Sequence, residues 1–339
     1  MTDRTIGWGI VGTSGWADHT FAPAVLAGGG VLVGACGSSR AGSEAFARRH
    51  GAERSYSGFD SLLADSDVQV VWVASPTDIH YTHATRALDA GKHVLVEKPM
   101  AISVKDAEAM ASVARGSSQI TAVGFQHRFN PSHQSLRELC RSGRLGELLH
   151  VRLHQFIKSD ELPSEWRRDP ARSGGWAIND LGTHLLDLVR FLIGDVDVVG
   201  AFLGGTHFHL AVDDVAVALL RSKATPTTAT TDPLSVAATV AVSTACADEI
   251  SVMEVFGSGG IARLHDSWPG GGSMTVGNQP PHIFSIVDTY ASQARAFNEA
   301  VGGSPYPGAT WDDGMENVRL VAQAQRAAVA SAKADIATS

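Results

Sequence analysis

Cysteine is scarce in this chain of 339 residues: Cys36, Cys140 and Cys246 stand far apart, without close pairs for structural zinc or the density of a disulfide scaffold. They read as reduced thiols of a cytoplasmic protein. A basic cluster or stripe is also missing, and the formal net charge is −8, so nucleic acid is not expected as a direct ligand. No apolar run approaches the roughly 18 residues that a membrane span needs. The opening, Met1-Thr-Asp-Arg-Thr-Ile6, runs straight into the first motif and leaves no room for a signal peptide. There is no internal repeat.

What is present suffices for two globular domains, since 44% of the residues are hydrophobic and the length exceeds one ordinary domain. Residues 1–125 alternate short apolar runs with helical stretches, the pattern of βαβ units on a doubly wound parallel sheet. Strands are expected at Ile6–Val11, Val31–Cys36, Val70–Ala74, His93–Val96 and Gln119–Phe125, and helices at Phe21–Ala27, Ser43–His50, His80–Ala90 and Val104–Arg115. Residues 126–339 change style. Helices are expected near Pro131–Ser142 and Ala177–Ile193, and a strand at Leu148–Phe156. An antiparallel meander follows over Val215–Arg221, Val236–Thr244, Ile250–Phe256 and Ile261–His265, with a Thr-rich loop at Ala224–Pro233. Final helices are expected over Asp288–Val301 and from Asp312 to about Ala332.

The stretch Gly12-Thr13-Ser14-Gly15-Trp16-Ala17 follows a predicted strand and opens a predicted helix, so its backbone N–H groups are expected to face a pyrophosphate. Ser14 replaces the second glycine of the usual dinucleotide pattern. After the second strand, where NAD-specific sites place an acidic residue on the ribose 2′-hydroxyl, the chain has none. Ser38, Ser39 and Arg40 stand there instead, and hydroxyls with a guanidinium suit a 2′-phosphate. NADP(H) is therefore expected over NAD(H), which stays possible.

Val94-Leu-Val-Glu-Lys-Pro-Met100 sets Glu97 and Lys98 directly after an apolar run. Lys98 supplies a cation that can polarise a carbonyl or stabilise a developing alkoxide, while Glu97 is expected at the cofactor ribose or as the anchor of Lys98. Asp180 and His184 are four apart on a predicted helix and so share a face. An imidazole titrating near neutrality can exchange a hydroxyl proton, which makes His184 the candidate acid and base and Asp180 its orienting partner or a substrate hydrogen-bonder. His80 and His83 lack an evident third ligand, so no metal site is expected. His207 and His209 are read as solvated residues on one strand face.

Taken together, Gly9-Ile-Val-Gly12, Ala74-Ser-Pro-Thr-Asp-Ile-His80, Ala90 to Pro99, Arg128-Phe-Asn-Pro131 and Ser173 to His184 make the chain resemble the Gfo/Idh/MocA oxidoreductases. That is the family of glucose-fructose oxidoreductase, inositol dehydrogenase and 1,5-anhydrofructose reductase. The match runs almost from end to end and thins between Gly200 and Ser285. It implies a Rossmann domain followed by an α/β domain built on an open, mainly antiparallel sheet, which often mediates dimers or tetramers. It assigns Lys98, Asp180 and His184 to catalysis, and Ser75, Pro76, Thr77 and His80 to the cofactor side. Trp166 and Arg167 are similar to a pair that approaches the nicotinamide in NADP-dependent members. Trp176 stands where many members have a third glycine, which implies a differently shaped loop before Asp180.

The expected function is hydride transfer between nicotinamide and a sugar, cyclitol or related polyol, with a lysine and an imidazole converging on the reacting group. The alternative is a dinucleotide-binding sensor on the same fold, because fold alone does not settle function.

Overall fold

The computed structural model describes residues 5–159, 161–205, 207–223, 236–268 and 270–338; the expected loop Ala224–Pro233 lies outside them. The chain forms two units, Met1–Phe129 with Asp288–Glu316, and Asn130–Val287 with Asn317–Ser339.

In the first unit, β1 (Gly7–Val11), β2 (Val31–Cys36), β3 (Arg54–Ser55), β4 (Val70–Val73), β5 (His93–Val96) and β6 (Thr121–Val123) form one sheet in the order β3-β2-β1-β4-β5-β6. Every pairing is parallel. A parallel sheet is covered on both faces, which is why β1 and β4 read as unbroken apolar runs and are buried throughout. The two-residue β3 is too short to leave a pattern in the sequence. Helices start where a side chain accepts from the free first-turn N–H groups: Ser39 Oγ accepts from Gly42 N at 3.1 Å, and Ser103 Oγ from Asp106 N at 3.0 Å. The first cap moves the helix start from the expected Ser43 to Arg40.

An aromatic cluster fills this unit. Trp72 stacks on Phe21 at 4.7 Å, and Trp8 meets Trp72 at 5.8 Å and Phe297 at 5.4 Å. Buried indole N–H groups need acceptors, and each finds one: Trp8 donates to Asn298 Oδ1 at 2.8 Å and Trp72 to Glu97 Oε1 at 2.9 Å. Phe297 and Asn298 lie on the helix Thr289–Val301, which therefore completes the core of the first unit from far along the chain.

The second unit holds an eight-stranded sheet in the order β14-β13-β12-β11-β7-β10-β9-β8. Its strands are β7 (Leu148–Lys158), β8 (Val196–Gly204), β9 (Val215–Ser222), β10 (Ala237–Ser243), β11 (Ala245–Gly257), β12 (Gly260–His265), β13 (Gly272–Val276) and β14 (His282–Phe284). Only β7 and β10 pair in parallel; the other pairings are antiparallel. Period-two alternation is plain in β9, where Ala216, Ala218 and Leu220 are buried while Val217 and Leu219 are exposed. The inner face packs on the helices Pro131–Arg141 and Thr183–Ile193. On the outer face Phe202, Val217, Leu219, Ile250 and Ile283 stay exposed, while Glu254 is buried between the guanidinium groups of Arg152 and Arg263.

His207 and His209, expected on one strand face, lie beyond the end of β8. There the N–H groups of His207 and Phe208 donate to Asp214 Oδ2 at 2.7 and 2.9 Å, and His209 takes a positive φ of 52°. A carboxylate that captures two successive N–H groups draws the chain into a turn rather than a ladder.

Candidate active site

In the first unit the candidate cofactor residues all follow the carboxyl ends of neighbouring strands: Gly12–Trp16 after β1, Ser38–Arg40 after β2, Ser75–Thr77 after β4, and Glu97 and Lys98 after β5. The chain leaves β1 toward β2 on one side and returns at β4 on the other, and open α/β sheets bind ligands at that switch. Gly12 has φ +101°, and a Cβ there would fall 2.4 Å from the Ala74 carbonyl oxygen, so only glycine lets β1 turn this closely past β4. Gly15 has open space where a side chain would stand, room for a bulky group to approach the backbone. These features fit a dinucleotide pyrophosphate. Trp16 is exposed, and a π-helical turn, Ala17–Phe21, follows it. Asp18 of that turn is held by Arg49 and by His50 Nε2, the latter at 2.6 Å.

At the end of β2, Ser38 and Arg40 are exposed and the Arg40 guanidinium rests on Glu44 at 2.8 Å. Ser39 spends its oxygen on the helix cap. Ser75 Oγ meets His83 Nδ1 at 2.9 Å. His80 is enclosed, with Nε2 at 2.7 Å from the Ser75 carbonyl and Nδ1 at 3.0 Å from that of Pro99. Burial lowers its pKa to about 4, so the ring is neutral and its single N–H donates to one of these two carbonyls. Thr77 is buried in the short turn Thr77–Ile79 that follows Pro76. Glu97 is buried as well: its oxygen takes the Trp72 indole N–H, and a Cβ on Gly124 would fall 2.7 Å from it. Burial pushes this carboxyl up to about 7, against the opposing pull of the Trp72 N–H and the Lys98 charge. Lys98 beside it is half-buried.

Asp180 and His184 belong to the second unit. The regular helix expected around them begins as a π-turn, Ile178–Gly182, and becomes α-helical only from Thr183. Single π-turns inside helices recur at functional sites, because the extra residue re-aims side chains. Asp180 on the π-turn lies 3.4 Å from Arg167 Nε, and the Arg167 guanidinium covers the Trp166 ring at 4.5 Å. The Trp166-Arg167 pair and the Asp180-His184 pair thus meet through Arg167 and Asp180. His184 is 3% exposed and lies edge-on to Trp268 at 5.5 Å.

Sequence reasoning missed the group that holds this turn. Buried Asp213 accepts from Trp176 N at 2.9 Å through Oδ1 and from Ile178 N at 2.7 Å through Oδ2. It binds first-turn N–H groups as a cap does, although it lies far along the chain. Burial raises its pKa despite those two bonds. Asn317 Nδ2 donates to the Thr183 carbonyl at 2.8 Å and Thr183 Oγ1 to the Asn179 carbonyl at 2.9 Å, which fixes the start of the α-helix. The only local signal for Asp213 was the Asp213-Asp214 pair just before an alternating strand, and Trp268 had none. Trp176 is buried against Phe208 at 5.3 Å, so its bulk turns inward.

Residues 6–125 match an oxidoreductase family with an NAD-binding Rossmann fold, and residues 133–263 match the GFO/IDH/MocA C-terminal domain. A 1,5-anhydro-D-fructose reductase of Ensifer adhaerens is 26% identical over 98% of both chains. Among solved structures, a levoglucosan dehydrogenase in complex with NADH and levoglucosan superposes with a TM-score of 0.84 at 20% identity, covering 96% of this chain and 98% of the other. A 3-ketoreductase of Actinomadura kijaniata in complex with NADP gives a TM-score of 0.79 at 24% identity, covering 96% and 98%. These structural likenesses are of the fold.

Proposed function

Because the chain belongs to the Gfo/Idh/MocA oxidoreductase family, we propose that it moves hydride between NADP(H) and a hydroxyl or keto carbon of a sugar, cyclitol or related polyol. Residues 1–125 hold the dinucleotide and residues 126–339 select the substrate. The observation that carries this reading is the convergence of Gly12–Trp16, Ser38–Arg40, Ser75–Thr77, Glu97 and Lys98 on one edge of the parallel sheet. The similarity to a 1,5-anhydro-D-fructose reductase and to a levoglucosan dehydrogenase supports the substrate class.

The nicotinamide, when bound, accepts or donates hydride at its C4. The residues of the chain handle the proton and the charge. In oxidation the substrate hydroxyl proton passes to the His184 imidazole as the C–H electron pair departs, and the Lys98 ammonium stabilises the alkoxide that develops. In reduction the same imidazole returns the proton to the carbonyl oxygen. Asp180 and Arg167 orient the substrate beside His184, and Trp166 supports Arg167.

Incubation with NADPH and a panel of keto sugars, or with NADP and aldoses and inositols, tests the reading by the absorbance of reduced nicotinamide. Turnover on one panel member is expected; dinucleotide binding without turnover on any would favour a sensor. For cofactor choice, Arg40→Ala should weaken NADPH binding by about ten- to a hundredfold, the value of a hydrogen bond to a charged group, and leave NADH nearly unchanged. Equal losses for both would reject the 2′-phosphate contact.

The outer face of the eight-stranded sheet leaves Phe202, Val217, Leu219, Ile250 and Ile283 in water, and an apolar face of this kind is covered in use. Its occupant is a second copy of this chain, giving a homodimer or homotetramer. Phe202→Glu together with Leu219→Glu should halve the mass seen by light scattering, and an unchanged mass would remove the sheet from the interface. No helix among the described residues is long and apolar enough to cross a membrane, and the three cysteines are free thiols, which suits a cytoplasmic enzyme.

A further inference from the structure

We infer that His83 is a positioning residue of the cofactor site, holding the Ser75 hydroxyl in place for the dinucleotide. Ser75 is the second residue after β4 and stands where the chain passes closest to β1, since a Cβ on Gly12 would fall 2.8 Å from Ser75 N. Ala74 N donates to the Val11 carbonyl at 2.8 Å, which fixes the strand end that carries Ser75. The residue is buried, and a buried hydroxyl needs a partner. It has one in His83 Nδ1, at 2.9 Å.

His83 lies three residues after His80 in the helix His80–Asp89, so the two rings share one face of its first turn. Both close on the same residue: His80 Nε2 lies 2.7 Å from the Ser75 carbonyl, and His83 Nδ1 meets the Ser75 hydroxyl. The His83 ring packs on Phe59 at 4.7 Å, and Phe59 in turn carries the Arg86 guanidinium 5.3 Å from its centre. Burial and the Arg86 charge lower the pKa of His83, so a neutral ring faces the serine near pH 7. A hydroxyl has one donor and two acceptor positions, and the imidazole occupies one of them in either tautomer. The others are left for a ribose or phosphate oxygen of the dinucleotide. Without His83 the hydroxyl would turn among its staggered positions, and that freedom would have to be lost again on binding. The inference rests on the reading of residues 1–125 as the dinucleotide domain, and extends it to a side chain one helical turn behind the rim.

The test titrates NADPH and NADH into wild type, Ser75→Ala, His83→Leu, His83→Asn and the double variant Ser75→Ala with His83→Leu, following nicotinamide fluorescence so that no substrate is needed. Ser75→Ala and His83→Leu should each weaken both dinucleotides by about three- to tenfold, the value of one hydrogen bond, and the double variant should lose no more than the weaker single one. His83→Asn sets an amide atom where Nδ1 stands and should bind within about twofold of wild type. Wild-type affinity in His83→Leu, an asparagine variant as weak as the leucine variant, or a double variant that loses the product of the two singles would overturn the inference. A loss confined to NADPH would also overturn it, because it would place the pair at the 2′-phosphate. If His83→Leu does not fold, His83→Met puts a flexible apolar side chain against Phe59 and must show the same loss. Failure of wild type to bind either dinucleotide would reject the reading beneath the inference, whereas binding by wild type with no loss in His83→Leu would reject the inference alone.

Discussion

Replacement of His184 by alanine is expected to lower kcat by about 10²- to 10⁴-fold, the range for loss of a positioned general acid and base, while the dinucleotide still binds. The imidazole is 3% exposed, so the variant also removes a packed ring from beside Trp268. Two readouts separate chemistry from packing. Added imidazole should restore part of the rate, and the loss should shrink on the alkaline side in the oxidative direction, where hydroxide can take the proton. Lys98→Met is expected to lower kcat to a similar degree. If both groups serve one reacting oxygen, the double variant should lose much less than the product of the two single losses, because residues that act as a unit are not additive. Wild-type turnover by His184→Ala would end the proposed proton transfer, and strictly multiplicative losses would separate Lys98 from it.

The second large effect concerns Glu97. Burial raises this carboxyl to about 7 in the folded chain, against an ordinary value of 4.5. Between those values the native state keeps a proton that the unfolded chain has released. The stability that protonation contributes is complete below 4.5 and is lost as pH rises through 7, by about 3 kcal/mol in all. Glu97→Gln keeps an oxygen for the Trp72 indole and cannot ionise. Urea unfolding of the dinucleotide-free protein should therefore show wild type weakening from pH 5 to 8 relative to the glutamine variant, which becomes the more stable of the two at pH 8. Parallel curves across that window would show that Glu97 does not titrate there.

The first unit was legible because a parallel sheet writes itself as short apolar runs: β1, β2, β4 and β5 fall within a residue or so of their expected bounds. Gly12 was legible for a similar reason, since one backbone dihedral demands glycine whatever its neighbours are. Features built from distant residues left no such trace. The π-turn under Asp180 depends on Asp213, and the environment of His184 depends on Trp268, both from the stretch where the family resemblance is thin. β8, β13 and β14 also escaped notice; β13 and β14 are short, and the burial pattern of β8 shows no clean alternation.

The late return of the chain to its first unit bears on how it is made. Trp8 in the first strand finds its hydrogen-bond acceptor on Asn298, and Trp311 donates to the Ala122 carbonyl at 3.2 Å. A ribosome that has released only the six parallel strands has delivered a nucleotide-binding sheet whose aromatic centre is still open on one side. That surface stays a target for chaperones until the helix Thr289–Val301 and Trp311 have been made.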